Sequence, residues 1–141
     1  MQYNRYFLAG AVCSGAAALL HLLCIVFGAS WYRFFGAGER IARLAEAGSL
    51  IPAVMTLAIA ALLSAWCAYA LSGAGVIRKL PYTRLALCAI AFIYCFRGLA
   101  FPSLIFFFPE NSSLFWALSS SISFGIGLLH VLGLKQMWWK L

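Results

Sequence analysis

The sequence has few charged residues and almost no acidic ones. Of its 141 residues, 9% are charged, and only three are Asp or Glu, against ten Lys and Arg. Soluble globular domains carry about 25% charged residues. Because hydrophobic residues make up 65% of the chain and the mean hydropathy is +0.98, the composition excludes an ordinary water-soluble domain. It predicts a polytopic membrane protein.

Sequence motifs of common enzyme classes are also missing. The chain shows no Ser-His-Asp set, no HExxH and no glycine-rich phosphate loop. No acid falls inside a long apolar run, which argues against a proton-coupled exporter that exchanges its substrate at a membrane carboxylate. These absences favour a protein that is not an enzyme.

The cysteines lie inside apolar runs and form no CxxC pair. Metal sites and thioredoxin-like redox sites usually show such close pairs. We therefore expect buried, unreactive thiols and no metal site, and the sequence identifies no cofactor. The cysteines are Cys13, Cys24, Cys67, Cys88 and Cys95.

Four apolar runs are long enough to cross a bilayer, and turn signals separate them. They cover residues 6–27, 50–71, 83–101 and 113–134, to within a few positions. A transmembrane helix needs about 20 predominantly apolar residues. The expected fold class is all-α, with a single membrane domain over 1–141 that forms an antiparallel four-transmembrane-helix bundle. A signal peptide is an alternative for the first run, but that run is long and no cleavage site follows it.

The basic residues indicate the orientation of the predicted bundle. Four spans place both termini on one side, which carries six Lys and Arg, whereas the other side carries three. Cytoplasmic loops are enriched in Lys and Arg. We therefore expect a multi-pass protein of a bacterial inner membrane with both termini in the cytoplasm. Because the basic residues flank apolar runs, their expected partner is the lipid bilayer, and no nucleic acid is expected.

Both connections on the predicted outer side have recognisable patterns. Between residues 38 and 48, apolar positions share one helical face, and Glu39 stands four residues before Arg43 on another. We expect a short interfacial helix there, lying on the membrane surface. The connection at 102–111 is apolar and bounded by prolines that stop a continuous helix, so we expect it in the outer interface.

Small residues recur every four positions in two of the runs. Ala11 and Gly15 do so in the first run, and Ser119, Ser123 and Gly127 do so in the fourth. Small residues let helix backbones approach closely. The stripes indicate packing within the bundle or, alternatively, a homodimer face.

Arg97 is a charged residue inside an apolar run. An Arg at mid-helix costs about 2.5 to 3.5 kcal/mol on insertion scales unless it is paired or hydrated. At a rise of about 1.5 Å per residue, Arg97 lies about 6 Å below the outer end of the third helix. It either snorkels or pairs with Glu46 or Glu39 as a structural ion pair, or it holds an anionic headgroup, a carboxylate or a quinone-like carbonyl.

His21 lies at a depth close to that of Arg97, about 9 Å below the outer end of the first helix. A single membrane histidine is also compatible with simple packing. The two depths, the two acids of the first loop and Glu110 together predict a ligand-binding pocket in the outer half of the bundle. Its candidate lining residues are His21, Arg97, Glu46 and Tyr94. His130 falls near the cytoplasmic end of the fourth helix and is attributed to interfacial packing.

Four short features occur in a defined order along the chain. They are His21 in the first helix, Gly-Ala-Gly-Glu at 36–39, Ser-Gly-Ala-Gly at 72–75, and Arg97-Gly98 near the end of the third helix. This arrangement resembles small bacterial four-helix membrane proteins of the DoxX-like family. The resemblance implies an inner-membrane protein, of a kind sometimes associated with quinone-linked redox or with sulfur oxidation in partnership with other subunits.

Two functions remain open from the sequence alone. The first is a non-enzymatic inner-membrane protein, either an accessory subunit or a small binding module for a lipid-like or anionic ligand near the periplasmic side. The alternative is a small transporter or membrane-embedded enzyme for a hydrophobic substrate, with Arg97 orienting the substrate and His21 exchanging a proton. The expected partners are a lipid or quinone-like ligand and either a second copy of the chain or another membrane subunit.

Overall fold

The computed structural model describes residues 3–107, 109 and 111–141, and every regular element in that part of the chain is an α-helix. The long helices are α1 (Arg5–Phe27), α4 (Ile51–Ala74), α5 (Thr83–Leu99) and α7 (Ser113–Met137). The short helices are α2 (Ala29–Phe34), α3 (Glu39–Glu46) and α6 (Phe101–Phe107). The prediction of an all-α fold with long apolar helices is confirmed.

Local sequence signals explain where the long helices begin and end. Asn4 caps α1, because its side-chain oxygen accepts a hydrogen bond from the Phe7 N–H at 3.0 Å. Ser112 caps α7 in the same way. Pro52 is tolerated in the first turn of α4, where its missing N–H has no helical partner. Gly75 ends α4 with a φ of 80°, in the left-handed region that glycine adopts freely.

The four long helices pack side by side in alternating directions. The Asn4 N–H donates to the carbonyl of Ala74 at 3.1 Å, and Asn4 Nδ2 donates to Gln136 Oε1 at 3.0 Å. The start of α1 therefore meets the ends of α4 and α7. Along their lengths, α1 packs mainly on α4, and α5 packs mainly on α7. We call the end that holds Asn4 and Gln136 the termini end, and the opposite end, with α2, α3 and α6, the far end.

Small residues allow these helices to approach closely. A Cβ added to Gly127 of α7 would lie 2.8 Å from the backbone nitrogen of Cys95 in α5, and one added to Gly15 of α1 would lie 3.4 Å from Cys67 Sγ in α4. Ala11 is buried in the same core. These members of the predicted small-residue stripes therefore face other helices of the same chain.

Within the part of the chain that the structure describes, three helices, α1, α4 and α7, are long and apolar enough to cross a membrane. The number becomes four if α5 and α6 together form one span, bent by 60° at the break between them. Pro102 lies in the first turn of α6. Because a proline has no N–H to donate and its ring clashes with the carbonyl four residues before it, a helix that continues from α5 is disfavoured, which accounts for the break. The helix predicted over 83–101 thus ends at Leu99, and four crossings stay a prediction.

The first loop folds into two short helices at the far end. α3 lies within the predicted segment, whereas α2 has no counterpart in the sequence prediction. The buried side chains of Cys24, Tyr32 and Ala42 bring α1, α2 and α3 together, and Thr56 of α4 donates a hydrogen bond to the Tyr32 hydroxyl at 3.2 Å. The apolar face of α3 therefore packs on protein, and its contact with a membrane surface stays a prediction.

Candidate functional site

Arg97 lies in the last turn of α5, at the far end. The next residue, Gly98, is pressed against α7, because a Cβ there would lie 2.8 Å from the backbone nitrogen of Phe124. This close approach brings the guanidinium to α7, where it donates hydrogen bonds to Ser120 Oγ at 3.1 Å and Ser119 Oγ at 3.3 Å. The Arg97 guanidinium carbon also lies 5.5 Å from the ring centre of Trp116. Arg97 is therefore held in a defined position.

The partners of Arg97 fix its direction but do not neutralise its charge. Serine hydroxyls are neutral acceptors, and two hydrogen bonds leave further N–H groups of the guanidinium available. Among the residues that the structure describes, no carboxylate lies within ion-pair distance of Arg97. The C-terminal end of α5 offers a favourable helix dipole, which compensates the charge only in part.

A groove of about 250 Å³ lies beside this arginine at the corner between α5, α6 and α7. Ser120, which accepts a hydrogen bond from Arg97, contributes to its wall. The other lining residues are largely apolar: Gly98, Leu99, Phe101, Ala117, Ser121 and Phe124. A cation next to an apolar groove matches an amphiphile with an anionic or carbonyl headgroup.

His21 is partly buried on α1 and bonds within its own helix. Its Nδ1 lies 2.7 Å from the carbonyl oxygen of Ala17. Because a carbonyl only accepts, Nδ1 donates this hydrogen bond. Within the described residues, no hydrogen bond or ring contact joins His21 to Arg97, so their proximity stays a prediction.

The acids of the first loop are engaged by Arg33. Arg33 Nη1 lies 2.6 Å from Glu46 Oε1, and Arg33 Nε lies 2.8 Å from Glu39 Oε2. Hydrogen bonds from Arg33 lower the pKa of Glu46, and those from Arg33 and Arg43 lower the pKa of Glu39 to about 2. The structural ion pair considered for Arg97 with Glu46 or Glu39 is therefore wrong. The spacing of these residues in the sequence could not show that Arg33, and not Arg97, contacts both Glu39 and Glu46.

Tyr94, one turn before Arg97, points into the core of the bundle. Its hydroxyl lies 2.9 Å from Ser14 Oγ of α1. Its ring stacks on His130 at 5.8 Å and meets Trp66 edge-on at 5.0 Å, measured between ring centres. The four predicted pocket residues thus have separate sets of partners. Glu110, which contributed to that prediction, lies outside the described residues.

The surroundings of His130 were not predicted correctly from the sequence. It was attributed to interfacial packing, yet its side chain is fully buried between α1, α5 and α7. Its Nδ1 lies 2.9 Å from the Ile126 carbonyl, and no described group lies within hydrogen-bond distance of Nε2. Gly10 makes room for the ring, because a Cβ there would lie 2.6 Å from His130 Cε1. A glycine on a distant helix offers no local signal of this contact.

Comparison of the chain with protein-family models, with curated proteins and with solved structures finds no match. The DoxX-like resemblance of the sequence is therefore a proposal.

Proposed function

We propose that this chain is an integral membrane protein that binds an amphiphile at its far end, with Arg97 holding an anionic or carbonyl headgroup. The proposal includes four membrane crossings, both termini in the cytoplasm and a bacterial inner membrane as the location. One observation carries it: Arg97 is fixed by two serine hydroxyls and an indole ring, not by a carboxylate of the described residues.

The setting of Arg97 favours an external anion. Electrostatic attraction is stronger in a medium of low dielectric constant than in water, so a cation at a helix end in a membrane attracts anions strongly. The guanidinium is planar and presents its N–H groups in a fork that matches two acceptor oxygens. Because Ser119 and Ser120 already restrain it, little side-chain entropy remains to be lost on binding.

The groove beside Arg97 supplies the apolar half of the proposed site. Its walls at Leu99, Phe101 and Phe124 suit an acyl or isoprenoid chain that extends from the headgroup into the bilayer. The DoxX-like resemblance, itself part of this proposal, fits the same site, since a quinone offers carbonyl oxygens as acceptors. The accessory-subunit and binding-module roles both remain compatible with such a site.

A pair of matched ligands tests the proposal. The purified protein, reconstituted in phosphatidylcholine nanodiscs, is titrated with dodecanoate and with dodecanol, which share one chain and differ in the anionic group. Binding is followed by native mass spectrometry. Hydrogen bonds to charged groups contribute about 1.5 to 3 kcal/mol, so we expect Arg97→Ala to weaken dodecanoate binding about tenfold to a hundredfold. Dodecanol binding should change little.

The control variant is Arg40→Ala, which removes an exposed arginine of the first loop at the same end. It should retain dodecanoate binding. Thermal unfolding of each variant distinguishes a lost site from a lost fold. Equal binding of dodecanoate and dodecanol to the wild-type protein, or unchanged dodecanoate binding by a folded Arg97→Ala variant, contradicts the proposal.

A further inference from the structure

A second groove lies at the termini end, opposite Arg97. It has a volume of about 450 Å³ and is formed by the connection between α4 and α5 together with the last residues of the chain. Cationic and aromatic residues dominate its lining: Lys79, Tyr82, Arg84, Trp138, Trp139 and Lys140. The groove therefore combines concentrated positive charge with large rings.

Buried hydroxyl groups hold the connection that forms this groove. Ser72 Oγ accepts a hydrogen bond from the Leu80 N–H at 2.9 Å and lies 3.3 Å from Thr83 Oγ1. Thr83 Oγ1 in turn donates to the Leu80 carbonyl at 2.6 Å. Both hydroxyl residues are buried. The backbone that carries Lys79 and Arg84 is thus fixed before any ligand binds.

The cations of the groove contact rings and carbonyls. The Arg84 guanidinium carbon lies 5.1 Å from the ring centre of Trp138, and Arg84 donates no hydrogen bond to a described residue. Lys79 Nζ approaches the carbonyl oxygen of Lys140 at 3.4 Å. Stacking on an indole orients a guanidinium and leaves its N–H edge available.

The acidic side chains that the structure describes lie elsewhere. Glu39 and Glu46 pair with Arg33 at the far end. Glu110 lies outside the described residues. No acidic side chain of the described residues lines the groove, and its three cationic side chains outnumber the single terminal carboxylate of Leu141, which also lines it. The groove therefore keeps a net positive charge that an external anion can complement.

We propose that this groove binds the phosphate of an anionic phospholipid. Arg84 donates hydrogen bonds to the phosphate oxygens, and Lys79 and Lys140 contribute positive charge. Tyr82 and Trp139, which are 82% and 92% exposed, lie beside the glycerol and upper acyl region, as amphipathic rings do at a membrane interface. The proposal shares membrane embedding with the proposed function but does not depend on Arg97.

Lipid preference measured by native mass spectrometry tests this site. The detergent-solubilised full chain is incubated with dioleoylphosphatidylglycerol or with dioleoylphosphatidylcholine, which share their acyl chains. We expect the wild-type protein to retain the anionic lipid preferentially. Arg84→Gln should weaken that binding about fivefold, since a basic residue near an anionic lipid surface contributes roughly that factor. In an Arg97→Ala background, which removes the proposed headgroup site at the far end, the triple variant K79Q/R84Q/K140Q should bind both lipids equally.

Two further variants locate the effect. Arg40→Gln removes one positive charge at the far end and should keep the preference, and Arg97→Ala should keep it as well, so failure of the Arg97 site leaves this result intact. Equal retention of both lipids by the wild-type protein overturns the proposal without recourse to any variant. Equal losses in Arg84→Gln and Arg40→Gln overturn it too, because the attraction then reflects net charge alone.

Discussion

At the scale of single residues, two glycines of α7 have opposite surroundings. A Cβ at Gly127 would lie 2.5 Å from Cys95 Sγ and 2.8 Å from the Cys95 nitrogen, whereas a Cβ at Gly125 would meet nothing within 4 Å. We expect Gly127→Ala to destabilise the fold by about 1 to 3 kcal/mol, because α5 must shift. Gly125→Ala should be neutral or stabilise by up to about 1 kcal/mol through helix propensity.

Denaturant unfolding of both variants in the same detergent measures this difference. The two positions lie in one helix two residues apart, so Gly125→Ala controls for any general effect of alanine in α7. Equal stability of the two variants would contradict the close contact between α5 and α7.

The hydroxyl pair of Ser14 and Tyr94 joins α1 to α5 inside the core, with 2.9 Å between the oxygens. Hydrogen bonds between membrane helices contribute about 0.6 kcal/mol on average, with a maximum near about 1.7 kcal/mol. We expect a double-mutant cycle of Ser14→Ala and Tyr94→Phe to give a coupling energy in that range. Tyr94→Phe keeps the ring that stacks on His130, so packing is conserved. Strictly additive effects would show that the two hydroxyls do not interact.

At the scale of elements, α3 and α2 show what local sequence can reveal. α3 was predictable because Glu39 and Arg43 are one turn apart and form the expected ion pair at 3.1 Å. α2 has only six residues, and its buried Tyr32 is held by Thr56 of α4. A helix of this length is too short to show a periodic pattern in the sequence, and its stability comes from the tertiary contact.

The first loop should also respond to acid. Because Arg33 and Arg43 lower the pKa of Glu39 from its ordinary 4.5 to about 2, ionised Glu39 stabilises the folded loop at pH values above that ordinary pKa. This stabilisation is lost as the pH falls from about 4.5 to about 2. We expect amide hydrogen exchange in α3, corrected for intrinsic rates, to accelerate over that interval.

Arg33→Gln provides the control for this pH dependence. The variant lacks the cation that bonds both Glu39 and Glu46, so exchange in α3 should be faster at neutral pH and depend less on acid. Amide exchange in α4 serves as the internal reference. If α3 in the wild-type protein keeps full protection at the lower end of the interval, the ion pairs do not hold the loop.

At the scale of the whole molecule, orientation is open to direct measurement. Ser113 lies at the far end and Lys135 near the termini end, and both are exposed. In intact bacterial cells we expect Ser113→Cys to react with a membrane-impermeant thiol reagent and Lys135→Cys to react only after permeabilisation. Ser113 is preferable to Ser112, whose hydroxyl caps α7.

The wild-type protein is the blank for this labelling, since its cysteines lie within the long helices. The positive-inside pattern of the sequence predicts the outcome. If only Lys135→Cys is labelled in intact cells, the topology is the reverse of the proposed one, and the Arg97 site lies on the cytoplasmic side.

The candidate site was only partly predictable from the sequence, because several of its contacts depend on how the helices of the whole molecule pack. Arg97 was identifiable because a charge in an apolar run is a local feature. Its contacts with Ser119 and Ser120 depend on how α5 meets α7, and the burial of His130 depends on Gly10 in α1. Such contacts join residues that are far apart in sequence, and a single sequence carries no record of them.

In the proposed orientation, the ion-paired first loop also affects how the chain enters the membrane. The segments that would be translocated carry equal numbers of basic and acidic residues: Arg33, Arg40 and Arg43 against Glu39, Glu46 and Glu110. Moving one elementary charge through a membrane potential involves about 2.3 kcal/mol per 100 mV. These segments therefore cross with no net electrical work, while six positive charges stay on the negative side. Arg97, near the outer end of α5, is then the one unbalanced charge that moves through most of the potential, so dissipating the cell's membrane potential should change the insertion yield only slightly.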